Sequence, residues 1–290
     1  MVAVTESGRV PNSRSAHVGR QAIYDRAGDV VAYELLFRHA ADAMDAASRG
    51  SAATASVLVD AFADFGIESL VGERACFVNI TREFVVGDLP VPFNPGQVGL
   101  ELLGSVTADS DVVKGVATLV EQGYTVSVDQ FLAGQGRERL LPYASYAKID
   151  MSCADVDLVR HTVELCREYA HLELIAHRME TERDVGVALG AGFDLLQGNI
   201  LGRAHVVSIE VADPDRGNRR EVLGRLAAAT SDDEVLRIVG EGSTLAARLR
   251  RAVACTCENT RWPATLTEVL ACCGTEPIVQ WAALMLAAEA

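Results

Sequence analysis

Between residues 30 and 200 the chain alternates short apolar, β-branched runs with longer stretches of helical periodicity. VVAYELLF, ACFVNI, QVGLELL, YTVSVD, YAKID, LELIAH and FDLLQG have the length and residue types of strands. AATASVLVDAFADFG, DSDVVKGVATLVEQG, DLVRHTVELCREYA and TERDVGVALGAG carry the 3.6-residue period of amphipathic helices. Gly66, Gly123 and Gly192 fall where left-handed helix C-caps belong. Such alternation predicts parallel strands joined by right-handed crossovers. Seven or eight units over about 200 residues suit a closed (β/α)₈, TIM-like barrel of the α/β class. An open doubly wound sheet is the alternative, but no G-x-G-x-x-G follows an early strand.

From Asn218 onward the pattern is helical with no strand between. NRREVLGRLAAATSDDEVLRIVGEG, STLAARLRRAVACTC, TLTEVLACCG and PIVQWAALMLAAEA carry it, with Ser231, Ser243 and Thr265 placed as N-caps. Pro214 and Gly217 break any regular pattern near residue 212. The expected organisation is a polar leader over residues 1–18, a barrel domain over 19–212 and a small all-α domain over 213–290. Trp281, Leu284, Met285 and Leu286 are expected to close the core of that last domain.

Composition narrows the functional classes. The chain has 290 residues, 49% of them apolar, so it can bury a sizeable core. No apolar run is long enough to span a bilayer, and the N-terminus has no signal-peptide h-region. Seven cysteines occur without a C-x-x-C pair, which favours reduced thiols over a zinc site. The expected location is the cytoplasm. Net charge is −14; nine Lys or Arg and nine Asp or Glu lie from Arg216 onward, leaving 17 bases against 31 acids before it. A surface so acidic argues against nucleic-acid binding, which needs clustered cations to neutralise phosphates.

The working residues of a (β/α)₈ barrel sit at the C-terminal ends of its strands. Here nearly every strand ends on a polar side chain: Glu34 and Arg38 on one face of AYELLFR, Asn79, Glu101, Asp129, Lys148 with Asp150, His177 with Glu180, and Gln197. Singly, each reads as a cap or a surface charge. Together they place several acids at one end of a barrel, where burial raises their pKa values unless cations share the site. Lys148, alone in an apolar strand, reads as functional rather than decorative, since burying it unpaired is costly. His39, beside Arg38, reads as a solvated loop residue.

Taken in order, YELLFR, VNI, LELL, VDQF, KID and the QG of LLQG resemble the EAL family, barrel phosphodiesterases that hydrolyse the bacterial second messenger cyclic di-GMP. The resemblance covers roughly residues 20–204. It implies that Glu34, Asn79, Glu101 and Asp129 stand at metal-ligand positions for Mg²⁺ or Mn²⁺. It places Lys148 and Asp150 near the metals and the attacking water, Glu180 and Gln197 at the outer site, and Leu36 and Arg38 against the ligand. Two hard cations ~3.5–4 Å apart would generate hydroxide and offset charge on the phosphoryl oxygens.

Three positions depart from that pattern. Where the family has D-D-F-G this chain reads Asp129-Gln130-Phe131-Leu132, so a metal-binding aspartate is an amide. Where it has A-E-G-V-E the chain reads Ala176-His177-Arg178-Met179-Glu180, so the general-base glutamate is a histidine beside an arginine. Where it has E-x-T-E the chain reads Glu101-Leu102-Leu103-Gly104, losing a loop-ordering acid. The expectation is a vestigial site: no hydrolysis, with Lys148, Asp150, His177 and Glu180 as its remnants. A weak phosphodiesterase with a rebuilt metal centre is the alternative, and a nucleotide-independent scaffold a third reading.

The tail, ACCGTEPIVQWAAL above all, resembles the HDOD module found behind EAL barrels, in trimmed form. No histidine follows His205, which agrees with a non-enzymatic module. The implied role is signalling by contact with another protein, as a homodimer, with cyclic di-GMP as the candidate ligand.

Overall fold

The computed structural model describes residues 13–38, 67–91, 93, 95–96, 98–153, 155–212, 218–254 and 265–287. Nine strands form one sheet: β1 (Ser13–Asp25), β2 (Val30–Arg38), β3 (Ala75–Ile80), β4 (Gly99–Leu102), β5 (Thr125–Val128), β6 (Tyr146–Asp150), β7 (Glu173–His177), β8 (Leu195–Leu196) and β9 (His205–Ala212). From β2 to β8 each strand pairs parallel with the next; β1 pairs antiparallel with both β8 and β2 and so closes an eight-stranded barrel. Strand β9 lies outside it, antiparallel along residues 13–20 of β1. The closed barrel agrees with the sequence pattern, and all seven strands read there are present.

Two expectations need correction. Strand β1 starts at Ser13, so the last third of the stretch read as a leader is sheet; residues 1–12 lie outside the described residues. Strand β1 is also antiparallel, so the barrel is not a uniform set of parallel units. Both follow from composition: SRSAHVGR has small and polar residues on both faces, and pairing with β2 and β9 holds it where apolar contrast cannot. A local signal marks the β1–β2 hairpin. The Asp25 carboxylate accepts from the N–H groups of Ala27 and Asp29, and Gly28 takes a left-handed φ of 90° in that turn.

The crossover helices follow their caps. Among the described residues these are α1 (Ile67–Val71), α2 (Arg82–Val86), α3 (Ser110–Glu121), α4 (Val156–Cys166) and α5 (Glu182–Ala191). Asp109 and Asp155 cap α3 and α4, Thr181 and Asp184 form a capping box on α5, and Gly123 and Gly192 are left-handed just past their helices. The expected helix AATASVLVDAFADFG, with Gly66 and His39, lies outside the described residues.

Period two sorts the barrel interior into layers. Ile23, Ala32, Phe77 and Ile175 form a dry lower cluster with Tyr146 and Leu195. Gly99 leaves room for it, since a β-carbon there would stand 2.6 Å from the Phe77 ring. Two residues further along the same strand faces come Gln21, Glu34, Asn79, Glu101, Lys148, His177 and Gln197. The apolar floor is therefore followed directly by the polar mouth.

The tail comprises α6 (Arg219–Ala228), α7 (Asp232–Glu241), α8 (Ser243–Ala254), α9 (Leu266–Cys273) and α10 (Thr275–Ala287). The single helical pattern read from residue 218 to 242 is two helices, because Ser231 accepts from the Glu234 N–H and restarts the chain as α7. Ser243 is the first residue of α8 rather than its cap. Thr265 forms a capping box with Glu268. Trp281, Met285 and Leu286 are buried, as expected of a core. Trp281 Nε1 donates to the Pro90 carbonyl across 3.1 Å. Pro90 lies between α2 and β4, so the tail docks on that connection. Cys76 and Cys166 are buried and Cys153 half-buried, and none of the three is in a disulfide. No helix among the described residues is long and apolar enough to cross a membrane.

Candidate functional site

Lys148, in the middle of β6, is fully buried, and its ammonium organises the mouth of the barrel. Nζ donates to Glu34 Oε2 at 2.8 Å and to Glu101 Oε1 and Oε2 at 2.8 and 2.9 Å. Gln197, just past β8, donates to Glu34 Oε2 at 2.7 Å, and Asn79 at the end of β3 donates to Glu34 Oε1 at 3.2 Å. Glu34 is thus held by side chains from β3, from β6 and from the residue just past β8. Gln21 on β1 stands opposite it in register and accepts from Gln197 at 3.3 Å.

The charges are unequal in their surroundings. Burial opposes ionisation of Glu34, but Lys148 above all, with the Gln197 amide, outweighs it and brings its pKa down to about 2. Glu101 has no amide donors and faces Glu34 and Asp129, so burial pushes it well above the usual carboxylate range despite Lys148. Burial raises Asp129 as well, against the pull of Lys148. Burial alone would lower Lys148, yet Glu101, Glu34 and Asp129 carry it upward, so it stays charged. Three acids share one ammonium, and burial opposes the ionisation of Glu101 and Asp129.

His177, at the end of β7, is the neutral member. Burial and then the Lys148 charge depress its pKa to about 3. Its Nδ1 stands 3.7 Å from Asp129 Oδ1, too far for a hydrogen bond, and neither atom has another partner. Asn79 Oδ1 and Gln197 Oε1 are likewise buried without one.

Two of the expected residues stand apart. Asp150 is taken up by Arg178 Nη1 at 3.0 Å and by the Ser152 hydroxyl at 2.6 Å. Glu180 is exposed and accepts from Asn199 at 2.7 Å. Leu36 is half-buried on the Glu34 face of β2; Arg38 ends that strand, and its side chain is outside the described residues.

Gln130 follows Asp129 with φ at +50°, a left-handed conformation for a residue with a β-carbon, and lays its side chain over Gly104. The loop it begins is tied down by Arg137, 5% exposed, which donates to the main-chain carbonyls of Asp129, Leu102 and Leu103. Sequence reasoning passed over both Gln21 and Arg137. The first sits in the unread strand β1. The second lies in GQGRER, where neighbouring charges make it look solvated, and only its three buried carbonyl partners reveal it.

The donor set would fit one hard divalent cation only where the Lys148 ammonium, which takes up Glu34 and Glu101, gives way. Glu34, Asn79, Glu101 and Asp129 offer oxygens, two of them buried and unpartnered. It does not fit a second, because the position beside Asp129 carries a neutral amide directed at Gly104. Among the described residues, no group of three or more His, Cys, Asp or Glu is arranged to hold a metal ion.

No known protein-family profile matches the chain. Two curated proteins are similar to it. An uncharacterised protein, YuxH of Bacillus subtilis, is 31% identical over 196 residues, covering 66% of this chain and 48% of that protein. The cyclic di-GMP phosphodiesterase CdgJ of Vibrio cholerae is 25% identical over 242 residues, covering 82% of this chain and 56% of that protein. The chain thus spans about half the length of these relatives. Among solved structures, the phosphodiesterase PaMucR in complex with c-di-GMP superposes with a TM-score of 0.53 at 21% identity, over 66% of this chain and 97% of that one. The BlrP1 protein of Klebsiella pneumoniae, with manganese and cyclic di-GMP, gives 0.50 at 18% identity, over 70% and 62%. The barrel therefore has the fold of the EAL-type cyclic di-GMP phosphodiesterases.

Proposed function

We propose that this chain is a signalling protein that holds cyclic di-GMP at the barrel mouth without hydrolysing it and acts through contact with another protein. The observation that carries this reading is Gln130. It stands where a second bridging carboxylate would be needed, it is neutral, and its amide lies over Gly104 rather than beside Asp129. Losing one anionic ligand from a bridged pair removes the charge that offsets two closely spaced dications. The base is missing too. An imidazole with a pKa near 3 has almost no affinity for the proton of an attacking water, and Arg178 is engaged with Asp150.

Binding can outlast turnover. Glu34, Asn79, Glu101 and Asp129 would hold one Mg²⁺ or Mn²⁺, whose chemistry there is to neutralise a phosphate ligand. Seating it would draw Lys148 away from Glu34 and Glu101 and favour the ionised form of Glu101, which burial otherwise opposes. Glu34, Leu36, Arg38 and Gln197 are the residues that would meet the nucleotide, and Lys148, Asp150, His177 and Glu180 are remnants of a catalytic set. The tail, by its resemblance to the HDOD module, is the candidate surface for a protein partner and for homodimer formation.

Calorimetry with cyclic di-GMP in Mg²⁺ and in EDTA, combined with a hydrolysis assay in Mn²⁺ at high protein concentration, tests the reading. Binding is expected, stronger with the cation, with no nucleotide consumed. Measurable turnover by the unaltered chain would overturn it in favour of a weak phosphodiesterase. Absence of binding in both conditions would leave a nucleotide-independent scaffold. The double variant Gln130→Asp with His177→Glu is expected to gain turnover, which locates the loss in those two positions.

A further inference from the structure

We infer that Arg137 is a positioning residue that braces the loops after β4 and β5 and sets the geometry of Glu101 and Asp129 without help from a divalent cation. Arg137 lies eight residues past Asp129, and its guanidinium returns to the strand ends. Nη1 donates to the Asp129 carbonyl, and Nη2 donates to the carbonyls of Leu102 and Leu103 at 3.1 Å each. Leu102 and Leu103 immediately follow Glu101, so one side chain fixes the backbone beside both acids. The Leu102 carbonyl also accepts from the Asp129 N–H at 3.1 Å, and the Phe131 N–H donates to the Lys148 carbonyl at 2.8 Å. The two ends of β4 and β5 are therefore cross-linked to each other and to β6.

The energetics show why the arginine is there. Burying a guanidinium without a contacting carboxylate is costly, and Arg137 Nε has no hydrogen-bond partner. Burial lowers its pKa, while the nearby Asp129 charge raises it again. Three charge-assisted hydrogen bonds to main-chain carbonyls offset the cost. The Leu102 and Leu103 carbonyls already accept from the Asp129 and Val106 N–H groups, so the guanidinium takes their second lone pairs, and Gly104, next along the chain, has no side chain to contribute. Gln130 at φ +50° is a strained turn that persists only when its surroundings hold it. Arg137 grips the residue just before that turn. The inference holds whether or not a nucleotide binds.

Hydrogen–deuterium exchange on the full chain tests it, following peptides covering residues 103–108 and 129–136 in EDTA and in Mg²⁺. The unaltered protein is expected to protect both peptides equally in the two conditions. Arg137→Met, similar in length but without donors, is expected to exchange about ten-fold faster there and unchanged in α4. In that variant Mg²⁺ should restore part of the protection, a response that a purely structural arginine would not produce. Arg137→Lys, with one ammonium for three carbonyls, should fall between the two. Protection that appears only when Mg²⁺ is added to the unaltered protein would overturn the inference, as would Arg137→Met or Arg137→Lys exchanging like the parent. Should Arg137→Met fail to fold, the cation comparison and the lysine variant still decide.

Discussion

Gln130 lies so close over Gly104 that a β-carbon built on the glycine would meet Gln130 Oε1 at 2.8 Å and Gln130 Cβ at 2.9 Å. The amide oxygen could swing away, but Gln130 Cβ is fixed by a left-handed backbone. The two positions are therefore coupled across the β4 and β5 loops. Gly104→Ala is expected to cost about 1–2 kcal/mol through overpacking. In a Gln130→Gly background, which removes both the side chain and the unfavourable φ, the same change should cost under about 0.5 kcal/mol. Urea titrations of the four variants check this, and equal costs in both backgrounds would show the residues to be independent.

The Lys148 ammonium holds together a cluster that would otherwise be two buried acids at close range. Lys148→Met keeps the volume and removes the charge, leaving Glu34 and Glu101 unpaired, a change that costs about 3–5 kcal/mol. The sign of its pH dependence follows. In the parent, Glu34 is depressed from 4.5 to about 2, so its contribution is full above pH 4.5 and lost as pH falls toward 2. Without Lys148, burial would raise Glu34 as it already raises Glu101. The folded state then binds more protons than the unfolded one, and stability falls as pH climbs above 4.5. Lys148→Met should therefore be weakest at pH 8 and recover toward pH 5, as thermal melts across that range would register.

How much of this was legible beforehand depends on the distance over which each feature is encoded. Asp129, Lys148 and Gln197 could be read because period two and strand ends are local, and a barrel converts them into one mouth. The barrel was legible for the same reason: alternating strands and amphipathic helices carry their own periods. What closes it was not, because Ser13–Asp25 has little apolar contrast and becomes a strand only through its neighbours β2, β8 and β9. The partners of Lys148 were likewise hidden. Nothing in YAKID says that its lysine meets residues of β2 and β4. Arg137 and the Gly104–Gln130 contact belong to the same class, since each joins segments whose own sequences read as ordinary loop.

The neutral imidazole of His177 gives a second pH signature. Its folded pKa, about 3, lies below the ordinary 6.5, so between those values the unfolded chain takes up a proton that the folded chain does not. Stability is thus unaffected by this group above pH 6.5 and declines as pH falls below it. His177→Asn cannot titrate, so relative to it the parent should lose up to about 1.4 kcal/mol per pH unit below 6.5. The two should run parallel above that pH. Urea midpoints measured from pH 8 to 5 provide the comparison, and a constant difference throughout would mean that His177 is freely protonated in the folded protein.

Trp281 joins the tail to the connection between α2 and β4. It is 1% exposed, and its indole N–H donates to the Pro90 carbonyl at 3.1 Å. Trp281→Phe removes the donor, leaves a carbonyl that has lost its partner, and opens a gap beside Met285 and Leu286. A loss of about 2 kcal/mol is expected from the sum of an unsatisfied acceptor and lost packing. In a chain of this size that lowers the melting temperature by several degrees. Because Pro90 is not among the residues of the polar mouth, any affinity the mouth shows for cyclic di-GMP should be the same in the variant. Calorimetric scans beside ligand titrations separate the two effects. A weakened affinity with an unchanged melting temperature would instead mean that the tail acts on the mouth through this contact.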